Sequence, residues 1–287
     1  MHGPSMNVAG LSDVGRVRKN NEDSFTISDL DTGERLEAGT GTRRVVVGPR
    51  GFLLALSDGM GGHAAGEVAS ALVVDSLRAA LLAEADLGSV EQLLATAAER
   101  ANADVIRTAQ ASGKRGMGAT LTAVHVRGDE AYVAQVGDSR AYLLRSGRLQ
   151  QVTRDQSLVQ LLVDQGTLSP EDARASKRKN ILLQAIGTSD DVKVAIGRLK
   201  LRRGDRFLLC CDGLSNALAD DELRDLVAGN DPDAACRKLI DLANERGGAD
   251  NLTAIVACID EGELEEPAGD ETTGDALEVL RGFSTRP

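Results

Sequence analysis

The chain has 287 residues, 42% of them hydrophobic, which suffices for one large α/β domain or two small ones and excludes disorder over most of the length. Aromatic residues are 2% and Trp is absent, so the core has to be aliphatic. The net charge of −11 excludes general nucleic-acid binding, and most of it sits from Asp260 onward, where nine acids stand against two arginines.

Residues 7–12 and 24–28 read as short strands on either side of a polar stretch. Residues 29–50, rich in Gly, Thr and Arg, read as a loop with one short strand at 45–47. Phe52-Leu53-Leu54-Ala55-Leu56 is a continuous apolar run of the kind that forms a strand buried on both faces, and it ends at Ser57-Asp58-Gly59. Val68, Leu72, Val73, Leu77 and Leu81 follow helical spacing, and so do Val90, Leu93, Leu94, Ala97, Ala98, Ala101 and Val105. Residues 119–126, 131–136 and 141–144 read as strands of an antiparallel meander. The polar segment 153–179 carries one short helical piece at Leu158, Leu161 and Leu162 and is expected on the surface. Strands at 192–199 and 207–211, helices at 221–228 and 232–244 and a strand at 252–259 complete the pattern. The acidic segment 260–287 is expected to be disordered.

Cys210, Cys211, Cys236 and Cys258 form no CxxC pair, and three of them lie in apolar runs, so they read as small core residues. No apolar stretch reaches membrane-spanning length and no signal region is visible, so a soluble, cytoplasmic chain is expected, with Met6 as its natural start.

Asp23, Asp58, Asp138, Asp212 and Asp250 each stand between an apolar strand and a turn. Singly, each has a bland explanation, since Asp-Gly and Asp-Asn are ordinary turn dipeptides. Together they are harder to dismiss. Carboxylates gathered in one place repel and resist ionisation unless a cation compensates them. With only His2, His63 and His125 in the chain, a histidine-rich metal site is excluded and hard oxygen ligands favour magnesium or manganese. Composition and spacing alone go no further than a carboxylate metal site.

Ordered motifs go further. Asp13-Val14-Gly15-Arg16-Val17-Arg18-Lys19-Asn20-Asn21-Glu22-Asp23-Ser24 is followed by Asp58-Gly59-Met60-Gly61-Gly62-His63, Met117-Gly118-Ala119-Thr120 and Gly137-Asp138-Ser139-Arg140. Then come Thr153-Arg154-Asp155-Gln156-Ser157, Ala185-Ile186-Gly187, Gly204-Asp205, Cys211-Asp212-Gly213-Leu214 and Asp250-Asn251-Leu252-Thr253. From about Val8 to Ile259 the sequence resembles the metal-dependent serine/threonine protein phosphatases of type 2C, particularly the compact bacterial members.

The resemblance implies an α+β fold in four layers, α-β-β-α, with two mainly antiparallel sheets between helices. The catalytic domain would span 7–259, with a flap at about 153–180. It implies hydrolysis of phosphoserine and phosphothreonine by a metal-activated water, with two Mn2+ or Mg2+ ions and a third, weaker one. By the same resemblance Asp58 bridges the two catalytic metals and Asp212 and Asp250 complete one shell. The Gly59 carbonyl ligates the second metal, and Asp23 acts directly or through water with Glu22 as a weaker partner. Asp138 with Asp212 matches the third site, and Arg18 the phosphate-contacting arginine, whose guanidinium fork suits two phosphate oxygens.

Two departures stand out. Met60 replaces a histidine that animal relatives carry as a proposed general acid, and methionine cannot transfer a proton. His63, beyond the Gly61-Gly62 pair, is then the candidate acid, against the alternative of a surface histidine flanking the next helix. Gln156 stands where many relatives have histidine, a position expected to bear on substrate choice. The expected partners are phosphorylated proteins, a serine/threonine kinase among them, with the chain acting as a monomer. The competing readings are a catalytically dead phosphoprotein-binding module, which the intact aspartates argue against, and an enzyme devoted to one stress-signalling regulator.

Overall fold

A computed structural model gives the fold and describes residues 3–61, 64–83, 88–114, 116–262, 264–268, 271 and 277–282. Two antiparallel sheets lie face to face. One has the order β3 (Arg43–Val46), β1 (Ser5–Asp13), β12 (Leu252–Glu261), β11 (Arg206–Cys210), β8 (Arg140–Arg145), β9 (Arg148–Gln151). The other runs β13 (Leu277–Arg281), β10 (Ala195–Lys200), β7 (Glu130–Val136), β6 (Leu121–Arg127), β4 (Phe52–Met60), β2 (Asp23–Asp29), with the short β5 (Gly118–Ala119) on the end of β4.

The apolar run of β4 shows why the layers stack as they do. Phe52, Leu54 and Leu56 point between the sheets, where they meet Phe207, Leu209, Ile255 and Ala257. Leu53 and Ala55 point the other way, onto α1 (Ala64–Ala83) and α2 (Val90–Ser112). β11 divides likewise, with Leu208 and Cys210 packed against Leu223, Leu239 and Ile240 of α6 (Asp220–Ala228) and α7 (Pro232–Glu245). A strand alternates its side chains between faces, so an unbroken apolar run needs apolar cover on both. The helices begin and end on sequence signals. Ser89 caps α2, Gly113 closes it in the left-handed conformation, and Asp231 caps α7 ahead of Pro232. All four cysteines are buried and free, as the reading of them as small core residues expected.

Several boundaries differ from the sequence reading. β4 does not stop at Ser57 but runs on to Met60, because β5 pairs with it through Gly59–Ala119 and Met60–Gly118. Its apparent echo behaves differently, since β11 ends at Cys210 and Asp212 opens a short helix, α5 (Asp212–Ala217). β9, ahead of α3 (Leu158–Asp164), and a second flap helix after it, α4 (Pro170–Ala175), are elements that periodicity missed. A capping Ser169 followed by Pro170 was the available signal for α4. The flap base is closed by backbone bonds from Leu158 to Ile181 (2.8 Å) and from Leu183 to Gln156 (2.7 Å).

The expected disorder of 260–287 needs correction where the segment is described. β12 continues to Glu261, Glu271 reaches Arg145, and β13 pairs antiparallel with β10. The acidic composition suggested a solvated tail, yet Arg145, Arg198 and Arg202 offer it cations and β10 offers it an unpaired edge.

Candidate active site

The five aspartates come from both sheets and meet at one end of the sandwich. Asp23 begins β2 and pairs in register with Asp58 of β4. Asp138 sits in the turn between β7 and β8, Asp212 at the start of α5, and Asp250 just ahead of β12. Asp58, Asp138, Asp212 and Asp250 line one cleft of ≈ 550 Å3, together with Arg18, Glu22, Gly59, Thr120 and Asn251. Asp23 lies behind this cleft, buried, while Glu22 reaches its wall.

The scaffold around the carboxylates is specific. Thr120 donates its backbone N–H to the Asp58 carbonyl (2.8 Å), and its hydroxyl accepts the Asp58 N–H (2.9 Å). Thr253 donates its hydroxyl to Asp23 Oδ2 (2.6 Å). Asn251 stitches the opening loop to β12. Its Oδ1 accepts from the Glu22 N–H (2.8 Å), and its Nδ2 donates to the carbonyls of Val14 and Asn20 (3.0 Å each). Cys211 Sγ accepts from the Thr253 N–H (3.2 Å) and donates to the Asn251 carbonyl (3.3 Å), locking the end of β11 to the start of β12. Sequence reasoning placed Thr120, Asn251 and Thr253 inside motifs without a role. Their hydroxyl and amide groups matter only because distant strands arrive beside them.

Close backbone approach explains two glycines. A Cβ on Gly59 would lie 2.1 Å from the Gly66 carbonyl oxygen, and one on Gly66 would lie 2.1 Å from Glu22 Oε2. The exit of β4, the start of α1 and Glu22 therefore nest together only without those side chains.

The electrostatics are those of uncompensated carboxylates. Burial, followed by repulsion from Asp23, Asp212, Asp138 and Asp250, pushes Asp58 well above the usual carboxylate range. Burial raises Asp23 to about 7 against the hydrogen bond from Thr253. Burial and the charges of Asp212 and Asp155 raise Asp138 to about 8. Asp212 is raised by burial and by Asp250, while Lys179 and Arg18 pull it back. Asp23 Oδ1 is buried with no hydrogen-bond partner. Among the described residues, no three His, Cys, Asp or Glu side chains are gathered closely enough to hold an ion as they stand. The donors lining the cleft are nonetheless hard oxygens, with no His or Cys among them, and both the orphaned oxygen and the raised carboxyls fit a site completed by divalent cations.

Of the remaining candidates, Arg18 lines the cleft and donates Nη2 to Asp250 Oδ2 (2.7 Å) with half its side chain exposed. Met60 lines the cleft as well. His63 lies outside the described residues. Gln156 is half-buried against the turn that precedes β8. Its Oε1 accepts from the Gly137 N–H (2.9 Å) and its own N–H donates to the Gly137 carbonyl (2.9 Å), so it clamps the turn that carries Asp138.

Comparison with known proteins agrees with this geometry. Residues 42–256 match the family profile described as protein phosphatase 2C. The serine/threonine protein phosphatase PstP of Mycobacterium tuberculosis is 39% identical over 251 residues, 87% of this chain but only 44% of PstP, so the chain spans under half the length of that relative. Protein phosphatase PhpP of Streptococcus pneumoniae is 34% identical over 263 residues, 91% of this chain and 100% of PhpP. Among solved structures, the M. tuberculosis PstP/Ppp phosphatase superposes with a TM-score of 0.76 at 36% identity, covering 90% of this chain and 100% of that one. The catalytic domain of PstP in complex with two manganese ions gives 0.74 at 36% identity, again covering 90% and 100%. Matched by the profile over most of its length and by relatives across nearly all of it, the chain belongs to the protein phosphatase 2C family.

Proposed function

We propose that the chain is a manganese- or magnesium-dependent protein phosphatase that hydrolyses phosphoserine and phosphothreonine in proteins. The observation that carries this reading is the convergence of Asp58, Asp138, Asp212 and Asp250 on one open cleft with an arginine at its wall. A phosphoprotein-binding module would have little use for so many buried carboxylates, whereas two-metal phosphate chemistry requires them. The fold's likeness to a domain that holds two manganese ions supports the same choice.

Asp58, Asp212, Asp250 and the Gly59 carbonyl are the residues that would hold the catalytic pair, with Asp23 behind them, and Asp138 with Asp212 would hold a third ion. When bound, such ions polarise a phosphoryl group and supply a nucleophilic water at neutral pH. The protein's own part is to hold the carboxylates against their repulsion. Thr253, Thr120 and Asn251 do this by fixing Asp23, Asp58 and the opening loop. Arg18 commits one N–H to Asp250, and its remaining donors suit the oxygens of a phosphate entering the cleft. The chain is read as a cytoplasmic monomer opposing a serine/threonine kinase; no described helix is long and apolar enough to cross a membrane.

The test is phosphate release from phosphoserine and phosphothreonine peptides, and from an autophosphorylated serine/threonine kinase, with manganese and with chelator. Release is expected with manganese only, from a protein that elutes as a monomer. Asp58→Asn and Asp212→Asn should each reduce it by more than the roughly 10–100-fold typical of losing an outer-shell partner, with native circular dichroism retained. Near-normal turnover in either variant at saturating manganese would remove that residue from the site.

A further inference from the structure

The floor of the cleft is acidic, but its rim is not. Two chain segments form that rim, the opening loop at Val17, Arg18, Lys19 and Asn20 and the returning arm of the flap at Asn180 and Leu182. Immediately before Asn180 stand Lys177, Arg178 and Lys179, the only three consecutive basic residues in a chain of net charge −11. They occupy a fixed turn. Lys179 donates its backbone N–H to the Ser176 carbonyl (3.3 Å), Ile181 donates to Arg178 (3.1 Å), and Leu158 of α3 donates to Ile181.

The charges of Lys177 and Arg178 are paired with no acid of the chain's own among the described residues. Arginines elsewhere on the surface are paired with the chain's own acids, as in Arg35–Asp75, Arg224–Asp221, Arg237–Asp233 and Arg246–Glu222. Within the flap Arg174 already faces Asp220 at 3.6 Å. Among the described residues Lys177, Arg178 and Lys179 have no such partner, and neither has Lys19. Lys177 and Arg178 are exposed, and Lys179 is close enough to the floor for its charge to act on Asp212. The opening loop and the returning arm of the flap also carry exposed apolar side chains. Val17 is 66% exposed, Ile181 47% and Leu183 50%, three of the seven large hydrophobic residues so exposed among the described residues.

A phosphate monoester alone would need only Arg18 and the floor. A basic, partly apolar ledge held beside the floor matches instead the chain on either side of the phosphorylated residue. Resting on the phosphatase reading above, we propose that Lys177 and Arg178 of the flap, with Lys19 opposite them in sequence on the opening loop, recognise negative charge flanking the phosphoresidue. The preferred substrates are then acidic phosphopeptides. The flanking charge can come from Asp and Glu or from a second phosphoryl group, and both present anionic oxygens to the same ammonium and guanidinium donors.

The experiment measures kcat/KM with manganese on one phosphothreonine peptide core carrying Asp/Glu, Ala or Lys flanks, and on a doubly phosphorylated version with Ala elsewhere. An aryl phosphate serves as the flank-free reference. Wild type should favour the acidic peptide over the Ala peptide by roughly 3–30-fold, the range that two exposed ion pairs supply. The gain should appear in KM and shrink as salt rises. The arm that gains more, carboxylate or second phosphoryl, identifies the natural source. Lys177→Gln with Arg178→Gln should bring the acidic-to-Ala ratio to within about twofold of one, and Lys177→Glu with Arg178→Glu should turn the preference toward Lys flanks. That inversion is a gained signal that a misfolded protein cannot give. Equal kcat/KM for acidic and Ala peptides in wild type, or a preference unchanged in the charge-reversed protein, overturns the proposal while leaving the phosphatase intact. No hydrolysis of any peptide or of the aryl phosphate overturns the phosphatase reading and this proposal with it.

Discussion

Asp23 and Asp58 face each other across β2 and β4, and burial holds both carboxyls above the normal range. This has a consequence for stability without metal. A carboxyl whose folded pKa exceeds its unfolded value of about 4 makes the folded protein bind more protons than the unfolded one. The penalty for ionising it is absent below pH ~4, grows as pH rises, and is complete above the folded pKa, which is about 7 for Asp23 and about 8 for Asp138. Metal-free protein should therefore melt at a lower temperature at pH 8.5 than at pH 5.5, with each kcal/mol worth roughly 2–4 °C in a large domain. Saturating manganese should flatten or reverse that trend, because the ionised form gains a partner. Calorimetric scans in chelator and in manganese across this window are the check, and a flat metal-free profile would mean that the carboxyls are not held as described.

At the scale of elements, the site depends on how closely the end of β4 approaches the start of α1. The two glycines there predict opposite behaviour. Gly59→Ala drives a methyl into the Gly66 carbonyl, a backbone atom that cannot step aside alone, so it should destabilise by about 1–3 kcal/mol or more, as overpacking does. Gly66→Ala meets the end of the flexible Glu22 side chain first, at 2.1 Å, and the Gly59 backbone carbon only at 3.0 Å, while alanine favours the helix by about 1 kcal/mol. It should therefore keep or raise the melting temperature while weakening manganese binding, because Glu22 is displaced from the cleft wall. Metal-free thermal unfolding together with manganese calorimetry separates the two effects. A Gly59→Ala protein as stable as wild type would show that the spacing is soft.

Across the whole molecule, three apolar layers are joined by a buried ionic cluster at the ends of β8 and β11 that lie away from Asp138 and Asp212. Arg145 of β8 is 1% exposed and pairs bidentately with Asp205 (2.7 and 2.8 Å), itself fully buried. Its other nitrogen reaches Glu271 (2.9 Å), which also binds Arg202 (3.0 Å). The cluster thereby ties the acidic segment to the sandwich, alongside the pairing of β13 with β10. Arg145→Ala would leave Asp205 buried and without its cation, and loss of one partner from a buried pair costs roughly 3–5 kcal/mol. Denaturant unfolding of the variant should show a midpoint lowered to match. A loss below about 1 kcal/mol would mean that water enters the cluster and that the segment is held by its strand alone.

Much of this architecture was readable from local chemistry. The run from Phe52 to Leu56 announces a strand covered on both faces, and the spacing of Leu93, Leu94, Ala97 and Ala101 announces a helix, because each pattern reflects the geometry of its own backbone. The aspartates were legible as a set through the order of their motifs, though not through spacing, since Asp23, Asp58, Asp138, Asp212 and Asp250 meet only when strands of two sheets pair. That pairing alone also put Asp23 behind the cleft and Glu22 on its wall, and set Gln156 to clamp Gly137. The acidic segment misled for the same reason. Its charge reads as solvated in isolation, and the buried Arg145 and the open edge of β10 that engage it belong to residues more than fifty positions away.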